Sequence, residues 1–166
     1  MGNKLRFGII GCGRVAPKHV EALVNNFQEA ELVALCDLED IKALELKQKY
    51  TNLLESRNLE VPEITIYTDY VDMLNRSDID VVSIATYSGT HARIALDAMQ
   101  AGKHVIVEKP MALSTVDAQQ MIDVAMQTGK KLTVCHQNRF NPPVRKLREA
   151  LEQGRFGKLV HGVAVI

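Results

Sequence analysis

Lys4-Leu5-Arg6-Phe7-Gly8-Ile9-Ile10-Gly11-Cys12-Gly13-Arg14-Val15-Ala16 decides the fold of this chain. Residues 4–10 read as a short apolar strand. Residues 14–27 follow at helical spacing, with Val15, His19, Ala22, Leu23 and Phe27 on one side. Between them lies a G-x-G-x-x-A turn. Such a turn means little alone, but it carries a mechanism where a strand enters it and a helix leaves it. Gly11 permits the tight turn, and Gly13 has no side chain to keep a pyrophosphate from the backbone. Ala16 allows close helix–sheet packing, and amides at the start of the helix face the phosphates. Arg14 and Val15 belong to this phosphate-binding turn. The competing reading is a glycine turn with no ligand.

The same alternation continues outward. Residues 31–37, 64–67, 80–85, 104–107 and 131–135 read as strands. Residues 39–50 (with Ile41, Ala43, Leu44 and Leu46), 90–101 and the stretch from Ser114 to Gly129 read as helices. Asp69 caps a short helix reaching about Asn75. Gly102 and Gly129 are stops, and Ser114 with Asp117 is an approximate capping box. Residues 51–63 are polar, contain Pro62 and read as a loop. Several strands are apolar almost throughout, as parallel strands covered on both faces are. The expectation is an α/β fold: a doubly wound parallel Rossmann sheet in the order 3-2-1-4-5-6 over residues 1–140. Asn141-Pro142-Pro143 then starts a helix running to Gly154. Residues 158–166 read as one more strand, the first of a truncated second α+β domain spanning 141–166. An apolar strand with nothing to pair against invites association.

Composition narrows the function. The 166 residues carry 20 basic and 20 acidic side chains, which argues against a polyanion-binding surface and hence against nucleic acid. No apolar run is long enough for a membrane helix, and the start does not read as a secretory signal. Cys12, Cys36 and Cys135 form no C-x-x-C pair, so a reduced, cytoplasmic protein is the simplest reading. The five histidines lack H-x-x-H and H-E-x-x-H spacing, so no metal site is expected. Met99, Met121 and Met126 read as core. Cys12 lies near a helix start, which can lower a thiol pKa, but it reads first as a tolerated position in the glycine turn.

Candidate site residues follow the strand ends, where ligands bind in this fold. Asp37 stands 21 residues after Ala16 and can accept both adenosine ribose hydroxyls. Leu38-Glu39-Asp40 supplies carboxylates and no arginine, which favours NAD over NADP. Lys42 nearby keeps use of NADP open. Thr86, Ser88 and His91 follow the fourth strand and can line the cofactor crevice, though His91 reads equally as a helix-start residue held by local bonds. Glu108-Lys109-Pro110 follows the fifth strand, which puts Glu108 and Lys109 at the mouth of the crevice as candidate cofactor contacts. Lys109 can bond a sugar hydroxyl and the nicotinamide ribose, and its charge would stabilise an alkoxide as hydride leaves. A surface Glu108–Lys109 pair is the alternative. Lys109–Pro110 is a candidate cis peptide. Gln137 and Asn138 suit hydroxyl groups, and Arg139 suits carboxylate or phosphate; a polar hinge is the alternative.

The Gly11/Gly13/Ala16 turn, the stretch HARIALDAMQAGKHVIVEKPMALS from His91 and the stretch NRFNPPVRKLREALEQGRFGKL from Asn138 together resemble the Gfo/Idh/MocA oxidoreductases. The resemblance covers essentially the whole chain, and Glu108-Lys109-Pro110 is quite specific to it. It implies a nicotinamide-dependent dehydrogenase acting on a sugar, nucleotide-sugar or cyclitol hydroxyl, with Lys109 contacting substrate and nicotinamide ribose. Gln137 to Lys158 is also similar to the branch that oxidises nucleotide-linked amino sugars or their uronates. The resemblance further implies a homo-oligomer and a second domain, in chains about twice as long, that supplies an aspartate and a histidine for acid–base work. Tyr87 and Ser88 stand where members often carry proline and asparagine. On these grounds the chain is expected to bind cofactor with little turnover. A non-catalytic NAD-sensing or interaction module and a methyltransferase are the rival readings.

Overall fold

The computed structural model describes residues 4–163. Its contacts divide the chain into two units, Met1–Cys135 and His136–Ile166.

The first unit is one six-stranded sheet with helices on both faces. Strands β1 (Leu5–Ile10), β2 (Ala30–Cys36), β3 (Thr65–Tyr67), β4 (Val81–Ile84), β5 (His104–Val107) and β6 (Leu132–Val134) lie in the order β3-β2-β1-β4-β5-β6. All five pairings are parallel. The expected Rossmann order is therefore present. Adjacent residues of one strand feed opposite cores, because side chains alternate across a sheet. Ile9 packs with Leu32, Leu35, Val20, Tyr50 and Leu54 on one face. Its neighbour Ile10 packs with Val82, Ile84, Met73, Met99 and Met121 on the other. That is why β1, β2 and β4 read as apolar almost throughout, interrupted by Arg6, Glu31 and Ser83.

The helices are α1 (Ala16–Asn25), α2 (Asp40–Glu55), α3 (Tyr70–Leu74), α4 (His91–Gln100) and α5 (Thr115–Thr128). Local chemistry sets their ends. Asp69 accepts from the Val71 amide at 2.8 Å, and Ser114 from the Asp117 amide at 3.0 Å. The Ser114 hydroxyl also donates to the Asp117 carboxylate at 2.8 Å, a variant of the capping box in which the acid bonds the cap side chain. Gly129 closes α5 in the left-handed conformation, with φ 66°.

The structure corrects several expectations. Helix α2 runs five residues beyond Tyr50, because Tyr50 and Leu54 are both fully buried and the Tyr50 hydroxyl accepts from the Leu32 amide at 3.2 Å. Residues 51–55 are therefore helix rather than loop, and Ile41 and Leu44 face solvent. On α1 the buried face is Ala16, Val20, Leu23 and Val24, offset from the expected one. Met126 is exposed, whereas Met99 and Met121 are core.

The second unit contains a single turn at Gln137–Phe140 and α6 (Pro142–Glu152). Asn141 precedes α6 but does not cap it with its side chain, which donates to Asn138 Oδ1 at 3.2 Å instead. The expected strand over 158–166 is not found at residues 158–163, which carry no ladder. A strand exists only through pairing. Residues 164–166 of that expectation fall outside the described residues.

Candidate functional site

The carboxyl ends of β1, β2 and β4 open into a cavity of about 650 Å³. Gly11 and Gly13 form one wall, Asp37, Leu38, Glu39 and Lys42 a second, and Thr86 with Tyr87 a third. Thr68, Asp69, Tyr70 and Arg93 close it.

The glycine turn explains its own sequence. Gly11 has φ +90°, and a Cβ there would lie 2.7 Å from the Ala85 carbonyl and the Thr86 amide. No other residue fits that crossing of β1 against β4. A Cβ on Gly13 would meet nothing within 4 Å, so its bareness opens space toward the cavity instead of relieving a clash. Helix α1 starts without a side-chain cap, with Pro17 in its first turn. Among the described residues, the amides of Gly13, Arg14 and Val15 make no hydrogen bond.

Asp37 is built into this turn. Its Oδ2 accepts from the Cys12 amide at 2.7 Å, and its Oδ1 accepts from the Glu39 amide at 3.0 Å. One carboxylate thus links the end of β2 to the turn after β1 and to the start of α2. Each oxygen keeps a free lone pair for a ligand. Lys42 pairs with Glu39 across one helical turn, which raises its pKa through that hydrogen bond. Cys12 is buried beside Asp37, and burial followed by that negative charge pushes its thiol up to about 12. The thiol is therefore raised rather than lowered, in keeping with Cys12 as a tolerated position in the glycine turn.

The other sequence candidates divide. Thr86 lines the cavity, its hydroxyl 2.9 Å from that of Thr90. Arg14 is exposed and Val15 half-buried at the turn, outside the cavity lining. Ser88 lies in the single turn Ser88–Thr90, also outside it. His91 is 1% exposed, with Nδ1 2.8 Å from the Pro110 carbonyl and Nε2 3.1 Å from the Thr86 carbonyl. Its ring is occupied in tying the segment after β4 to the segment after β5. The Lys109–Pro110 bond is cis. Lys109 is exposed at the end of β5, and Gln137, Asn138 and Arg139 are exposed in the second unit.

Glu108 turns inward, away from the expected alternative of a surface pair with Lys109. Its Oε1 lies 3.1 Å from His19 Nε2 on α1, while Oε2 accepts from the Lys109 amide at 3.3 Å. His19 Nδ1 lies 2.7 Å from the Ser83 hydroxyl on β4. Cys135, just past β6, lies beside the same carboxylate, and burial followed by the Glu108 charge pushes its thiol up to about 11. Sequence reasoning missed this cluster, since its members are 19, 83, 108 and 135 in the chain. It also missed Tyr70 and Arg93. Tyr70 bonds Asp97 at 2.7 Å, and Arg93 stands 5.7 Å over its ring, an arrangement with no local signature.

The family model for the oxidoreductase family with an NAD-binding Rossmann fold matches residues 5–136. The chain belongs to the Gfo/Idh/MocA oxidoreductases. Inositol 2-dehydrogenase of Salmonella paratyphi B is 30% identical over 161 residues, 95% of this chain and 45% of that protein. Alpha-N-acetylgalactosaminidase of Shewanella oneidensis is 34% identical over 96% of this chain and 34% of its own length. The WlbA dehydrogenase of Bordetella pertussis, solved with NADH and UDP-GlcNAcA, is 35% identical with a TM-score of 0.77, over 94% of this chain and 44% of that one. The chain therefore spans less than half the length of these relatives. Among the described residues, no helix is long and apolar enough to cross a membrane.

Proposed function

We propose that this chain is the cofactor-binding part of an NAD-dependent dehydrogenase that moves hydride between nicotinamide and a secondary hydroxyl of a sugar, nucleotide sugar or cyclitol. The observation that carries the cofactor assignment is the Asp37 carboxylate, held by the Cys12 and Glu39 amides on the wall of the cavity. The ribose diol of adenosine takes its two remaining lone pairs. The pyrophosphate meets Gly13 and the free amides of Arg14 and Val15, and the adenine lies against Leu38, Tyr70 and Arg93. The protein supplies orientation and electrostatics, while the nicotinamide supplies the hydride chemistry. Thr86 and Ser88 bound the nicotinamide side of the crevice. His91 and Glu108 act as positioning residues that hold the segment carrying Lys109. Lys109 bonds the reacting hydroxyl and stabilises its developing alkoxide.

The whole protein extends this domain. Residues 1–140 form the dinucleotide domain, and 141–166 belong to a second, substrate-binding domain. Gln137, Asn138 and Arg139 contact the substrate. The nucleotide-sugar reading draws on the WlbA likeness, and the cyclitol reading on the inositol dehydrogenase. The glycosidase relative supports a second reading, cleavage of a glycoside.

Calorimetric titration with NADH and NADPH tests the cofactor site. NADH binds more tightly, because Asp37, Glu39 and Asp40 repel a 2′-phosphate. Asp37→Ala weakens NADH binding about 10–100-fold, the loss of a pair of charge-assisted hydrogen bonds. Preference for NADPH, or an unchanged affinity in Asp37→Ala, contradicts the assignment.

A further inference from the structure

His19, Glu108 and Cys135 form a cluster outside the lining of the dinucleotide cavity. His19 Nε2, a Glu108 oxygen and Cys135 Sγ all lie within 4.8 Å of one another. The side chains of His19 and Glu108 are 12% and 11% exposed, and Cys135 is half-buried. We propose that these three residues form a binding site for one divalent cation of the zinc class.

The geometry is close to what such an ion needs. Bonds of about 2.0–2.3 Å at tetrahedral angles place ligand atoms roughly 3.3–3.8 Å apart. The His19–Glu108 separation is 3.1 Å, so that pair needs almost no adjustment. The thiol closes the third side with a shift of about 1 Å. The outer contacts are those of a metal site. A ligating histidine is normally fixed by a hydrogen bond from its other nitrogen, and Ser83 Oγ stands 2.7 Å from His19 Nδ1. The second Glu108 oxygen accepts from the Lys109 amide. The donor set also selects the ion. Magnesium and calcium favour all-oxygen shells, whereas imidazole with thiolate suits zinc and cobalt(II). A groove of about 300 Å³ lined by Phe7, Ser83 and Ile106 reaches one of the three ligands, His19.

Binding is proton-balanced. The Cys135 thiol gives its proton to solvent and becomes a metal thiolate. The imidazole keeps its single proton on Nδ1, donated to Ser83, so that Nε2 and the Glu108 carboxylate bind the ion directly. Water fills the fourth position. The ion would fasten α1 to the carboxyl ends of β5 and β6, beside Lys109. The site stands independently of the dinucleotide reading.

The test is a titration of the full chain with cobalt(II), read by the thiolate-to-cobalt charge-transfer band. The band saturates at one cobalt per chain and is bleached by zinc. Cys135→Ser abolishes it although Cys12 and Cys36 remain, and His19→Gln weakens cobalt binding at least about tenfold. A measurement on the unaltered chain guards against misfolded variants: zinc, but not magnesium, slows alkylation of Cys135. Absence of the band, its persistence in Cys135→Ser, or no protection of Cys135 by zinc overturns the proposal.

Discussion

Two strand-end regions of the same sheet behave very differently under sequence reading. At β1 and β2, the glycine turn and Asp37 make a site from residues close in the chain, and their pattern announces it. At β5 and β6, His19, Ser83 and Glu108 are joined by hydrogen bonds, with Cys135 beside them, in a cluster from four distant segments. The first region is open to a ligand through bare glycine and free amides. The second is packed and internally bonded, with Glu108 turned under the backbone of Lys109. A motif is legible when one short stretch performs the chemistry, and it is silent when the topology must first bring its parts together.

The largest break in this contrast is at Gly11. Gly11→Val forces a branched side chain onto the Ala85–Thr86 backbone at a positive φ. Conformational strain and overpacking together cost about 2–5 kcal/mol, with loss of NADH binding. Denaturant unfolding and calorimetry measure both; a variant of near-normal stability contradicts the close approach.

His19→Ala probes the other region. It leaves the Ser83 hydroxyl and the Glu108 carboxylate without their partner, at a cost of about 1–3 kcal/mol. NADH affinity stays within about twofold, since the two regions share no bonding partner. A large loss of affinity in His19→Ala would merge the two regions into one.

The smallest effect belongs to neither site and serves as a baseline. Asp78 is held down to about 2 by its hydrogen bond to Arg76, below its ordinary 3.8. A depressed carboxylate stabilises the fold above its unfolded pKa, and that contribution disappears as pH falls from about 4 through about 2. The pair is partly exposed, so the contribution is about 0.2–1 kcal/mol. Asp78→Asn should lower the urea midpoint at neutral pH by that small amount and flatten that portion of the acid limb, so that the two pH series converge as pH falls toward about 2.

The fold was legible wherever burial follows from a local pattern. The order of six strands, the caps at Asp69 and Ser114, and the stop at Gly129 were all readable from spacing and residue type. The missed end of α2 shows the limit. Polar residues after Tyr50 suggest a loop, yet Leu54 is buried against the sheet and carries the helix onward. The strand expected from Lys158 shows the converse, since an apolar alternation needs a neighbour before it becomes a strand. In the cavity, Asp37 was visible because its spacing from the glycine turn is set by one helix and one strand. Tyr70 and Arg93 were not, because they reach that wall from α3 and α4. His91 read equally as a cofactor contact or a locally held residue. The Pro110 carbonyl that occupies one side of its ring comes from another loop.

The central claim is that the dinucleotide lies on the Gly11–Ala16 turn and Asp37. The most direct measurement is a titration of isotope-labelled chain with NADH, followed amide by amide in nitrogen–proton correlation spectra. Perturbations should concentrate at Gly13, Arg14, Val15, Glu39 and Thr86, with Cys12 shifting as the Asp37 carboxylate takes on the ribose. Perturbations centred instead on the groove beside His19 and Ser83, or none at saturating NADH, would contradict the account.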